Sequence, residues 1–280
     1  MKTQNPFQTT IGYPLTALVT TNFRTALGTG RIFAPLIIVL LPVVIVGVMR
    51  VVYFFLSQWQ DIQIGDRFTI YSVMCATIFL QFIVPLLALL RGMTIFAEEK
   101  KQRTITYLFL RPVPRPVLSA GKFIGSMAAM CLLLAMSITA VFLILGSFPE
   151  TDIIRYDYPV LLNDIWILCL GLLAYGSVMM FIGTYFKRYL LFGIILIFVW
   201  DAFASYIPGF AHRLTVKYYL QCIFPHQEAR DIVQKILVNH TMVSETNAIL
   251  TLVGITLAGI LLTALVLKLK EFIGEGMDVD

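Results

Sequence analysis

Residues 96–122 read FAEEKKQRTITYLFLRPVPRPVLSAGK. Six of the chain's 21 Lys and Arg residues lie here (Lys100, Lys101, Arg103, Arg111, Arg115 and Lys122), and Arg91 stands just before. Glu98 and Glu99 are its only acids, and apolar runs at 70–90 and 123–148 stand on either side. A run of that kind is long enough to cross a hydrocarbon core of ~30 Å, so the basic segment between two of them belongs at a membrane surface. Its positive charge marks that surface as cytoplasmic.

The same pattern extends outward through all 280 residues, which are 59% hydrophobic and 13% charged. Soluble domains carry about 25% charged residues, so the deficit indicates a membrane protein. Runs at 32–52, 70–90, 123–148, 165–186, 189–207 and 248–267 predict six transmembrane helices in one all-α polytopic domain covering residues 1–280. Ahead of them, Leu15, Leu18, Val19, Phe23 and Leu27 recur near helical spacing, predicting an amphipathic interfacial helix over 11–31. The external loop 208–247 is the longest. Pro208-Gly209 and Pro225 interrupt it, while Ala229, Ile232, Val233, Ile236 and Leu237 keep helical spacing, so short helices dipping toward the outer leaflet are expected there. Residues 271–280, FIGEGMDVD after Glu271, are expected to form a flexible tail.

Six spans place both termini on one side. That side, with 91–122 and 187–188, holds 14 of the basic residues against seven opposite, which predicts cytoplasmic termini in a multi-pass protein of the plasma (bacterial inner) membrane. The net charge of +5 reflects this bias and implies no nucleic-acid partner. Membrane lipids are the expected surroundings.

Catalytic signatures are missing. No GxxxxGK[ST] loop or HExxH occurs, and Gly121-Lys122 lacks both the upstream Gly and the following Ser or Thr. His212, His226 and His240 are scattered through one loop, and Cys75, Cys131 and Cys169 fall inside apolar runs, where Cys behaves as a small hydrophobe. No catalytic residue, metal site or cofactor is therefore expected on this chain. Any chemical work must come from elsewhere.

Within the basic stretch, Phe96 to Leu110 reads as a helix, with Glu99 and Arg103 spaced as a favourable pair and Ile105, Leu108 and Phe109 on one face. Pro112 ends it, because the residue before a proline is pushed out of the α region. Pro112, Pro114 and Pro116 then stiffen the turn. A rigid, basic knob with exposed apolar residues is suited to docking.

The residues EKKQRTITYLFLRPVPRPVLSAGK resemble the signature of the type-2 permeases of ATP-binding-cassette (ABC) exporters, E-K-E-x-G-T-L-E-x-L-L-x-x-P-[VI]-S-R followed by G-K. Glu99, Lys100, Thr104, Leu108, Pro112, Val113, Arg115, Gly121 and Lys122 fall in register. Lys101, Arg103, Ile105, Thr106, Phe109 and Pro114 depart from it. The resemblance implies that 96–118 is a cytoplasmic coupling helix docking on a separate ATPase subunit. Its contacts would come from Glu98, Glu99, Arg103, Thr104, Ile105, Leu108, Phe109, Arg111, Pro112 and Arg115. It further implies two ATPase copies, which bind the ATP and Mg, and a second permease copy or homologue completing an exporter's translocation pathway.

Three polar residues inside the predicted spans are candidates for that pathway. Asp201 would lie ~20 Å from the cytoplasmic start of the fifth span, at 1.5 Å per residue. A carboxylate at that depth is costly unless paired, hydrated or protonated, which makes it a functional candidate; Arg50 is expected at a similar outer depth as a partner. Gln81 could hydrogen-bond across a helix interface or line a path. Gly171, Ala174, Gly176 and Gly183 permit close packing of the fourth span. Two other readings are an intramembrane enzyme using Asp201 and a non-transporting scaffold of the same architecture.

Overall fold

The computed structural model describes residues 6–28, 32–57, 67–101, 115–146, 158–186, 188–201, 203, 211–224 and 243–269. Among them every regular element is helical. Helix α1 is Pro6–Ala26 and α2 is Phe33–Ser57. Helix α3 runs without a break through Arg67–Met74, a π-helical stretch Cys75–Ile83, and Val84–Lys101. Next come α4 (Arg115–Gly146) and α5 (Tyr158–Tyr185). Helix α6 comprises Tyr189–Ile194 and a second π-helical stretch, Ile195–Trp200. A 3₁₀ turn, Ala211–Leu214, leads into α7 (Val216–Ile223), and α8 is Glu245–Leu269.

Five helices are long and apolar enough to cross a membrane, over Phe33–Val52, Ile70–Ala97, Pro116–Leu145, Tyr158–Tyr185 and Glu245–Leu269. The expected fifth span, 189–207, is a shorter apolar helix over Tyr189–Trp200; residues 202 and 204–207 lie outside the described residues. Where an interfacial helix was expected at 11–31, a helix runs over Pro6–Ala26. Two other helices begin early. Helix α4 starts at Arg115 instead of 123, and α5 at Tyr158 instead of 165. Each opens with a proline as its second residue, Pro116 or Pro159, where the missing N–H would have had no intrahelical partner anyway. The prolines read as turn residues thus include one that starts a helix.

Burial separates the centre from the periphery. Of the spanning windows, 67% of α5 and 56% of α3 is buried, against 22% of α2 and 28% of α8, so α3 and α5 form the axis of the bundle. They approach closely because glycine faces backbone. A Cβ on Gly92 would come to 2.7 Å from the Gly176 carbonyl oxygen, and one on Gly183 would run into the main chain of Met93. Close approach of this kind is how helices associate in lipid, where tails are as apolar as Leu and burial alone gives no driving force. Of the small residues singled out in the fourth span, Gly176 and Gly183 serve this contact.

Hydroxyls inside the spans bond mostly to their own helix, as Thr139 does to the Ala135 carbonyl and Thr263 to that of Gly259. Ser137 of α4 instead donates across to the Val39 carbonyl of α2, 2.7 Å away. Pro42 frees the neighbouring carbonyl, that of Ile38, so this bond falls one residue from the ladder gap. The π-helical stretch in α3 has a similar origin. Pro85 cannot donate to Gln81, and the widened turn shifts the ladder so that the Val84 N–H bonds to Phe79.

Candidate functional site

At the end where α3 finishes and α4 begins, the two helices bracket residues 102–114. Lys122 on α4 places its ammonium 5.0 Å from the centroid of the Phe96 ring on α3. Both side chains are buried, at 3% and 1% exposure, where a cation over an aromatic face is worth most. Leu118, Ser119 and Phe123 of α4 and Ala97 of α3 are buried around them. The Gly-Lys pair at the end of the signature therefore fastens the base of the predicted knob. Glu98 and Glu99 sit in the last turn of α3, and Arg115 is the first residue of α4. Arg103, Thr104, Ile105, Leu108, Phe109, Arg111 and Pro112 lie outside the described residues.

Helix α1 packs along α4 near the same end. A Cβ on Gly125 would come to 2.6 Å from the Val19 carbonyl oxygen and 3.0 Å from the Asn22 Cβ. The N-terminal helix is thus seated directly on backbone.

Deeper in the bundle, three elements converge on Asp201. Its main-chain N–H bonds to the Leu196 carbonyl, closing the π-helical stretch of α6, and its side chain is 6% exposed. The Tyr175 hydroxyl of α5 donates to Asp201 Oδ2 at 2.6 Å, a distance typical of a bond to an ionised acceptor. The charge of Lys217 on α7 acts on the same carboxylate, and the Lys217 main chain hydrogen-bonds the Tyr175 hydroxyl. Arg50, considered as a partner for Asp201, donates from Nη1 to the Ile144 carbonyl at the end of α4, 2.8 Å away.

Lys217 can reach Asp201 because α7 inserts into the bundle. Thr215 caps it by accepting the Tyr218 N–H, and Val216, Tyr218, Leu220, Cys222 and Ile223 are buried. Leu220 fills the space over Gly171, whose Cβ would come to 2.7 Å from a Leu220 methyl. Gly171 and Tyr175 are four residues apart on α5, so α7 has its N-terminal end deepest and runs back outward from there. Its helix dipole also points its positive end toward the Asp201 region. A short helix does occur within the loop 208–247, at Val216–Ile223; positions 229–237, where the spacing pointed, lie outside the described residues.

Two further groups were missed from sequence. Asp164, counted only as an outer acid, is completely buried on α5, and Tyr71 and Cys75 of α3 interact with it. The thiols of Cys131 on α4 and Cys169 on α5 interact with each other. Neither was visible in the sequence, since Asp164 stands at the edge of an apolar run and each thiol is isolated in its own. Gln81 is exposed beside Phe82 on the π-helical stretch of α3. Among the described residues no group of three or more His, Cys, Asp or Glu could hold a metal.

These features define a multi-pass α-helical membrane protein with a buried Lys122–Phe96 contact at one end of the bundle and a buried carboxylate, Asp201, bonded to Tyr175. The chain belongs to the ABC-2 family of transporter proteins, whose model matches residues 16–272. No curated protein matches the sequence. Family membership makes it the membrane subunit of a transporter, of a kind that works with an ABC ATPase.

Proposed function

We propose that this chain is the permease subunit of an ATP-driven exporter, with residues 96–118 as the coupling segment that receives the stroke of a separate ATPase. The observation carrying this reading is the buried Lys122–Phe96 contact, which braces α3 and α4 where the signature segment leaves them. A transmitter must be rigid at its base, or movement of the docked partner dissipates in the linker. ATP and Mg bind to the ATPase, two copies of which sit on the cytoplasmic face. Positive-inside bias supports cytoplasmic termini and a plasma (bacterial inner) membrane location. Helix α1 then lies at the inner surface, and α6, extended through the residues after Asp201, completes six spans.

The pathway lies between two copies of the permease, or this chain and a homologue. Gln81 supports this. An amide exposed near the middle of α3 is costly against lipid, and a facing copy or a hydrated path would accommodate it. Asp201 is already engaged by Tyr175 and Lys217, which favours a part in transport over catalysis.

The deciding experiment is copurification with the ATPase. Leu108→Ala combined with Arg111→Glu should abolish association while membrane insertion is unchanged. Undiminished association would remove the coupling role from this stretch.

A further inference from the structure

We propose that Met93 is a positioning residue for transport: it ties the α5–α6 hairpin to the foot of α3, so that α5 and α6 follow a displacement delivered to residues 96–118. The inference rests on the permease reading above and adds to it which helices receive the stroke. Met93 is 2% exposed and stands one turn before Phe96. Its main chain and its side chain meet two different helices, each at a glycine. On α5, a Cβ at Gly183 would run into the Met93 carbonyl oxygen and come to 2.8 Å from its Cα, so the two backbones touch. On α6, a Cβ at Gly193 would overlap the terminal methyl of Met93 and come to 3.0 Å from its sulfur. Leu89, one turn earlier on α3, reaches the same glycine, with its Cδ1 3.1 Å from that Cβ position. Gly183 and Gly193 flank the turn between α5 and α6, so Met93 sits in the mouth of the hairpin. Across that turn the Phe186 and Phe192 rings stack with centroids 4.1 Å apart, holding the two arms together.

The foot of α3 is thereby gripped twice, by Lys122 of α4 over Phe96 and by the hairpin at Met93. The two arms of the hairpin are held differently. Backbone against glycine leaves no side chain to rearrange, so α5 is bound to follow α3, and Gly92 makes a second such contact with the Gly176 carbonyl. The hold on α6 is a thioether in a glycine notch. An unbranched, adaptable side chain keeps that hold only while it fills the notch. Shortening Met93 therefore frees α6 from α3 and leaves α5 attached.

The packing is tested on the full-length chain in detergent, without a partner. Gly193→Val should lower the midpoint of thermal unfolding by several degrees, because the notch is already filled. Adding Met93→Ala to it should then cost less than Met93→Ala costs the parent, since the vacated space accepts the valine. Gly183→Ala, whose Cβ meets main chain, should gain no such relief from Met93→Ala. Additive losses at Gly193, or equal relief at Gly183, overturn the interlock. The positioning role is tested with the ATPase bound, in a background with the four native cysteines replaced by Ser. Spin labels on Leu190→Cys of α6 and Ile124→Cys of α4, both exposed positions, report the distance change when ATP, Mg and vanadate trap the complex. Met93→Ala should at least halve the change seen in the parent while ATPase association is unaltered, and Met93→Leu, of similar volume, should retain it. A full change in Met93→Ala, a loss in Met93→Leu as large as in Met93→Ala, or no change in the parent overturns the role. Failure of the ATPase to associate with the parent would instead refute the coupling segment, and the unfolding midpoints would still decide the interlock.

Discussion

Asp201 shows how much a single buried charge depends on what surrounds it. Its depth could be counted along the fifth apolar run, and its cost in hydrocarbon follows from general physics. Its partners could not be counted, because Tyr175 lies 26 positions away and Lys217 reaches it only through the path of the loop. Lys217 is only partly buried but its charge acts on the buried Asp201, so removing it leaves the carboxylate less compensated. Lys217→Met should therefore lower the midpoint of thermal unfolding in detergent more than the double variant Asp201→Asn with Lys217→Met does. Tyr175→Phe, which removes only the hydroxyl, should destabilise by about 1–3 kcal/mol, the cost of a lost bond to a charged group. Gly125 makes the parallel case for backbone. Gly125→Val must displace α1 from α4, at a cost of about 1–3 kcal/mol as for other overpacked sites. Limited proteolysis should then cut within Pro6–Ala26 sooner than in the parent.

Among the elements, the long apolar helices were the most legible. Uninterrupted runs of spanning length have few alternatives in lipid, since every backbone N–H and C=O must be satisfied within the segment. Their ends were less so. The second and third helices both continue into the basic stretch, to Lys101 and from Arg115, because charged residues and a first-turn proline are compatible with a helix once it leaves the hydrocarbon. The two π-helical stretches were not legible at all, although Pro85 supplies a local cause for one. Contacts between elements give a direct check on the packing of α4 against α5. Mild oxidation with copper phenanthroline should join Cys131 to Cys169 within one chain, detected as a cross-linked peptide pair by mass spectrometry. Cys131→Ser should abolish that product, and its absence from the parent would refute the contact.

For the whole molecule, the apolar surface of the single chain is extensive, including Ile37, Leu41, Val48 and Phe55 on α2 and Leu257 and Leu261 on α8. In a membrane most of this is lipid-facing, and Gln81 on α3 is an exposed polar residue that bears on assembly. Gln81→Cys, in a background without the native cysteines, should cross-link two copies in native membranes through a short bis-maleimide. Only monomeric product would place Gln81 away from a facing copy. What residues 1–280 determine unaided is the solvent they fold in, the uneven distribution of their charges along the chain, and the motif that allies them with ABC-2 permeases. Those properties are sums or short patterns, fixed by transfer free energies that add residue by residue along the chain. What only the tertiary structure decided is which helices form the axis, that Lys122 lies over Phe96 where α3 and α4 adjoin, and that Tyr175 meets Asp201. Each depends on glycine-sized clearances and on groups distant in sequence meeting at one depth, which no local sum contains.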